Sequence, residues 1–252
     1  MIKIYKILFY PVILFLGFFF PIGELNAQTF GFGCLGLSGF YGGYSIQQFN
    51  ADGLNESIKF HYEELGITDS DISFGEARGL RVGANIFRAK FDRYFITLKG
   101  YYQFLKEEKS IRSTAASGIY DDVHKLELNH WGIALDFGMP LLGFIDLKLV
   151  EGGIILYNAE VRSESTFNNL DLPEVIYSDS KSTMGYYLGT GLIIHIILDY
   201  ISIEGTAVYN FMEIKSLNEP NGLVLPVSSV NKNLVESGKL AAAVQLNVGF
   251  PL

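Results

Sequence analysis

A single cysteine, Cys34, occurs in 252 residues. One thiol cannot make a disulfide framework or a cysteine-rich metal site. It follows Gly31-Phe32-Gly33 and is separated from the apolar leader by Glu24, Asn26 and Gln28, so it reads as a small strand residue rather than a lipidated one. Long apolar runs are missing too. Hydrophobic residues make up 49% of the chain, yet beyond the extreme N-terminus no run approaches the ~20 residues a membrane helix needs. Positive charge is also scarce. Without residues 1–27, which carry Lys3, Lys6 and Glu24, the 19 basic and 27 acidic residues become 17 and 26, a net charge of −9. That balance excludes a basic nucleic-acid footprint, and no nucleic-acid partner is expected.

What is present is dispersed hydrophobicity, with 20 Phe, 15 Tyr and 27 Gly, the glycines mostly inside apolar-alternating stretches. Such a sheet meets lipid on one face and a crowded interior on the other. Residues 1–27 read as a secretory signal peptide. Lys3 and Lys6 precede an apolar block over 7–20, Pro21 and Gly23 end it, and Ala27 offers a small residue at the cut. The mature domain is then 28–252.

Polar segments divide that domain into strands. Four are long, at about 50–77, 106–124, 158–181 and 213–237; three are short, at about 89–93, 139–143 and around Asp199. They alternate strictly, which predicts eight antiparallel strands in a closed up-and-down transmembrane barrel, with four long extracellular loops on one rim and three short periplasmic turns on the other. No internal repeat or low-complexity tract competes with this pattern.

Alternation assigns the faces. One phase is apolar and predicted to face lipid, including Leu98, Tyr102, Trp131, Ile133, Leu135, Ile203, Tyr209, Leu246 and Phe250. The other carries sparse charges of both signs: Arg81, Asn85, Lys99, Gln103, His130, Asp136, Asp146, Lys148, Glu204 and Lys239. Those ten are predicted to form a polar network filling the lumen, because a Lys or Arg facing lipid near the midplane would cost roughly 2–4 kcal/mol. Glu151 breaks phase and predicts a bulge or an end to the buried stretch. The first strand is too glycine-rich to phase. Aromatics near both segment ends suggest two interfacial belts.

The chain resembles the small outer-membrane barrels of Gram-negative bacteria, the OmpX-like and OmpA-barrel-like class. The resemblance rests on the leader, the loop alternation and the C-terminal strand Ala241-Ala242-Ala243-Val244-Gln245-Leu246-Asn247-Val248-Gly249-Phe250, extended here by Pro251 and Leu252. It implies residence in the outer membrane, outer-membrane lipid and the barrel-insertion machinery as partners, and a surface or envelope protein as a further one. It carries over no functional residue.

Chemistry is thin. His61 and His124 fall in long segments, His195 lies toward the short-turn end, and His130 faces inward where a carboxylate could orient it. No Ser/His pairing is recognisable. The run Thr68-Asp69-Ser70-Asp71-Ile72-Ser73-Phe74-Gly75-Glu76 has glycine and glutamate misplaced for a calcium loop and reads as a solvated acidic turn. No catalytic residue, metal or cofactor is predicted. The sequence points to a barrel acting through its acidic surface segments, with a passive pore and a lipid-modifying enzyme as alternatives.

Overall fold

The computed structural model describes residues 28–30, 38–67, 72–115, 118–179, 181–198, 200–226, 230, 232–236 and 239–249. The expected signal peptide over 1–27, Cys34, residues 68–71 of the acidic turn and the expected lipid-facing Phe250 lie outside them. The strands are β1 (Gln28–Phe30), β2 (Gly39–Gln48), β3 (Glu76–Lys90), β4 (Phe95–Gln103), β5 (Lys106–Ala115), β6 (Gly118–Leu142), β7 (Ile145–Phe167), β8 (Leu170–Asp171), β9 (Val175–Ser178), β10 (Thr183–Ile197), β11 (Ile201–Phe211), β12 (Leu217–Asn218), β13 (Val224–Leu225) and β14 (Leu240–Gly249), with one helix, α1 (Asp52–Glu64).

All strand pairings are antiparallel. Eight strands each pair with two others in the order β2-β3-β4-β6-β7-β10-β11-β14, and β14 pairs back onto β2. Their connections on one side are short, at 91–94, 143–144 and 198–200.

The opposite side departs from the expectation of four loops and eight strands. The sheet continues there, bringing the described strands to fourteen. Residues 106–124 form a β5–β6 hairpin in which Lys106 pairs with Glu127 and Ala115 with Gly118. Within 158–181, β7 runs on to Phe167 and takes β8 and β9 as partners. The segment 213–237 contributes β12, β13 and isolated bridges to Asn50 and Ile214. These stretches alternate as any soluble sheet does, polar outward and apolar inward, so their polarity reads as loop when counted residue by residue.

Residues 52–64 form a helix rather than a loop because Leu54, Ile58 and Tyr62 recur every fourth residue on one buried face. Asn50 Oδ1 accepts the Asp52 N–H at 3.1 Å at its start. Gly66, at φ +75°, ends it: the Ile67 N–H reaches the Tyr62 carbonyl and the Gly66 N–H the Glu63 carbonyl. The helix covers an apolar core made by Phe49, Leu54, Leu105, Leu126, Leu128, Ile214, Leu217 and Leu234, all fully buried or nearly so.

Candidate functional site

Below that apolar layer, the inner face of the eight-strand circuit is ionic. Lys99 on β4 and Lys148 on β7 stand among Asp136 on β6, Glu151 on β7 and Glu204 on β11. Lys99 Nζ lies 2.6 Å from Glu204 Oε1 and 2.7 Å from Asp136 Oδ2. Lys148 Nζ lies 2.6 Å from the same Glu204 oxygen and 3.2 Å from Asp136, and it also pairs with Glu151. The Tyr187 hydroxyl donates to Glu151 Oε1 at 3.1 Å, and Asn247 Nδ2 to Glu204 Oε2 at 3.3 Å. Nearby, Arg81 donates to Gln103 at 2.9 Å and lays its guanidinium 4.1 Å from the Tyr101 ring centroid. Three cations thus face three carboxylates, all buried, and the group is neutral as a whole. Carboxylate oxygens of Asp136, Glu151 and Glu204 lie within 4.8 Å of one another. Two ammonium groups occupy the space among them, so the arrangement suits internal neutralisation rather than a metal ion.

Toward the short turns, Asp146 accepts from His195 Nε2 at 2.9 Å and from Arg88 at 3.3 Å. Toward the helix, Gln47 donates to the Tyr157 hydroxyl at 3.0 Å. His130 packs on Tyr157 and Tyr101, its Nδ1 3.3 Å from the Leu128 carbonyl. Among the described residues no carboxylate orients it.

Nine of the ten residues assigned to the inner face are buried on it. Lys239 is the exception and a correction: it stands exposed. Its parity matches Ala241 and Gln245, but the residue-paired ladder with β11 ends one step earlier, at Tyr209–Leu240, and the Lys239 side chain lies in solvent. Among the outward residues, Trp131, Ile133, Leu135, Ile203, Tyr209 and Leu246 are exposed, and Leu98 and Tyr102 partly so.

Glu151, Arg88, Tyr41 and Tyr187 also belong to this face and were missed. The signal for the first two was a broken alternation. A bulge at Leu149–Val150 returns Glu151 to the inside, and one at Ile86 does the same for Arg88. The tyrosines rest on glycines of the neighbouring strand. A Cβ on Gly83 would sit 2.4 Å from the Tyr41 ring, and one on Gly153 would sit 2.6 Å from that of Tyr187. Glycine inside these strands therefore makes room for rings that cross the interior.

A second polar chain lies under α1. Tyr62 Oη donates to Asp122 Oδ2 at 2.6 Å and is 2.9 Å from His124 Nε2; His124 Nδ1 is 2.8 Å from Ser163 Oγ. The Ser/His contact that sequence spacing left unrecognised is a direct cross-strand pair of β6 and β7. Burial, then the Asp122 hydrogen bond, pushes the Tyr62 hydroxyl far above its usual range. Burial lowers the His124 imidazole below its ordinary value, against the opposing Asp122 charge.

No protein-family model matches the sequence, and no curated protein matches it. Solved structures similar to it are outer-membrane barrels of Gram-negative bacteria. Ail, the attachment invasion locus protein of Yersinia pestis, is 12% identical with a TM-score of 0.37, over 86% of this chain and 98% of that one. Neisserial surface protein A is 9% identical with a TM-score of 0.36, over 85% and 96%. The outer-membrane protease OmpT from Escherichia coli is 10% identical with a TM-score of 0.38, over 89% and 96%.

Proposed function

We propose that this chain is an integral outer-membrane protein whose eight-strand circuit closes into a transmembrane barrel. Its lumen is filled by ion pairs, and a folded cap built from its four long polar segments makes its contacts outside the cell. In this reading residues 1–27 direct export, the barrel-insertion machinery places the chain in outer-membrane lipid, and the protein acts by surface interaction rather than catalysis.

One observation carries the reading. The outer face of β6 is Trp131, Ile133, Leu135, Phe137, Met139 and Leu141, all exposed, whereas the same face a few residues earlier is Asp121, Val123, Lys125, Glu127 and Asn129. Exposing six large apolar side chains in a row to water is what soluble proteins avoid. Ten residue steps of about 3.3 Å, tilted by about 40°, cover roughly 25 Å, the height of an outer-membrane apolar band. Ring clusters mark the upper edge of that band. Tyr102 contacts Trp131 and Phe104 with centroids 4.7 and 4.6 Å apart, and Phe211 contacts Tyr186 and Tyr209 at 4.8 and 5.0 Å.

Gel migration before and after boiling, combined with protease treatment of intact cells, tests this reading. It expects a heat-modifiable band and cleavage confined to the cap segments. A band indifferent to boiling, or release of the chain by carbonate washing of membranes, would contradict it. The filled lumen also argues against a passive pore, and planar-bilayer recording is expected to show no large steady conductance.

A further inference from the structure

The chain Asp122–Tyr62–His124–Ser163, buried except for the half-buried Ser163, joins three separate elements of the cap, and its bonding fixes its protons. Tyr62 spends its one hydroxyl proton on Asp122, so its oxygen accepts from His124 Nε2–H. The imidazole is thereby held in the Nε2–H tautomer, with Nδ1 left to accept from the Ser163 hydroxyl. Tyr62 is the last large apolar contact of α1 with the sheet, and it is fully buried. Asp122 and His124 are its polar anchors there.

We propose that the cap is an acid-sensitive lid: protonation of His124 places a charge beneath α1 and releases α1 from the β5–β6–β7 sheet. This rests on the reading of the cap as the exposed portion of an outer-membrane protein, and gives that portion a regulation. A second proton would sit on Nδ1 and turn the Ser163 hydroxyl from donor to acceptor, and its charge would be held in a site that α1 closes from water. The groups facing His124 are Asp122 on its own strand, Tyr62 and His61 on α1, Ser163 on β7, and on β5 its cross-strand partner Lys109, paired with Glu107 at 3.1 Å. Asp122 favours the charged imidazole and His61 opposes it, while burial outweighs both. The direction follows from linkage. A histidine whose folded-state value lies below its unfolded one leaves the closed cap fully stable above pH ~6.5, and the stability falls as pH drops below that. Each pH unit in that window raises the opening constant by up to about tenfold.

Hydrogen exchange on the full chain in detergent micelles reads this directly, each amide rate being divided by its intrinsic rate at that pH. Between pH 7.5 and 5.0 the amides of α1 are expected to lose protection by about tenfold or more, while those of β6 residues 132–138 stay constant. In His124→Gln the α1 amides should be insensitive to pH, and in His61→Gln the loss should persist. Should His124→Gln fail to close the cap, the His124 ring titration followed by NMR in the wild-type chain decides instead. A midpoint at or above the ordinary histidine value would overturn the proposal. So would unchanged α1 protection in the wild type, or an equal loss in His124→Gln. Because the barrel amides are read in the same experiment, their loss would instead count against the membrane-barrel reading.

Discussion

The two halves of β6 are built from opposite rules. From Asp121 to His130 the inward residues are Asp122, His124, Leu126, Leu128 and His130, and the outward ones are mostly charged or amide-bearing. From Trp131 to Leu141 the outward residues are large and apolar, and the inward ones are Gly132, Ala134, Asp136 and Gly138. The neighbouring β7 reverses at the same level. Ile154 and Leu156 face out below, Asn158, Glu160, Arg162 and Glu164 face out above, and Tyr157 gives way to Ala159 and Val161 within. Backbone geometry does not change across the boundary, since the β6–β7 ladder runs in unbroken register from Tyr120–Phe167 to Phe137–Val150. The medium does. Where water bathes the outer face, burial of Leu126 and Leu128 drives folding. Where hydrocarbon bathes it, no such force acts on Ile133, and the ion pairs within become the groups that must not be left unmatched.

The largest break in this contrast comes from the ionic half. Glu204→Leu leaves Lys99 and Lys148 in the interior with one carboxylate fewer, and should cost about 3–5 kcal/mol of barrel stability, read as a lowered urea midpoint in micelles. Cap amide protection should change far less. A second comparison uses one substitution at two heights on one face. Ile133→Arg should destabilise the folded barrel by about 2–4 kcal/mol in lipid, whereas Val123→Arg, opposite Glu164, should change it by less than about 0.5 kcal/mol. Equal effects would erase the boundary. The smallest lies in the cap alone. Gly66→Ala forces a Cβ into the left-handed region at φ +75° and should cost about 1 kcal/mol, seen as faster exchange in α1 with the barrel unchanged.

The half of the sheet with the apolar outer face was legible because its code is simple. Leu98, Ile133, Leu135 and Leu246 alternate with Lys99, Ala134, Asp136 and Gln245, and a parity rule separates them. That rule failed wherever the chain inserts a residue. The bulges at Ile86 and at Leu149–Val150 reset parity, which hid Arg88 and turned Glu151 from an anomaly into a member of the ionic group. It also failed past the end of a ladder, as at Lys239. The cap was illegible for a different reason. Its strands carry Lys125, Glu127, Glu160 and Arg162 on the outside, and α1 hides a three-residue apolar stripe among ten others. The four-residue spacing of Leu54, Ile58 and Tyr62, with Gly66 after it, was the available sign of a helix.

Nitroxide scanning along β6 reads the position of its boundary. Spin labels placed singly at 121, 123, 125, 127 and 129, and at 131, 133, 135, 137 and 139, in the protein reconstituted into lipid vesicles, would be compared for collision with oxygen and with a water-soluble nickel chelate. The account predicts nickel-accessible labels through 129, then an abrupt change to oxygen-rich, nickel-excluded labels from 131 onward. Nickel access that continues undiminished from 129 to 139 would contradict it.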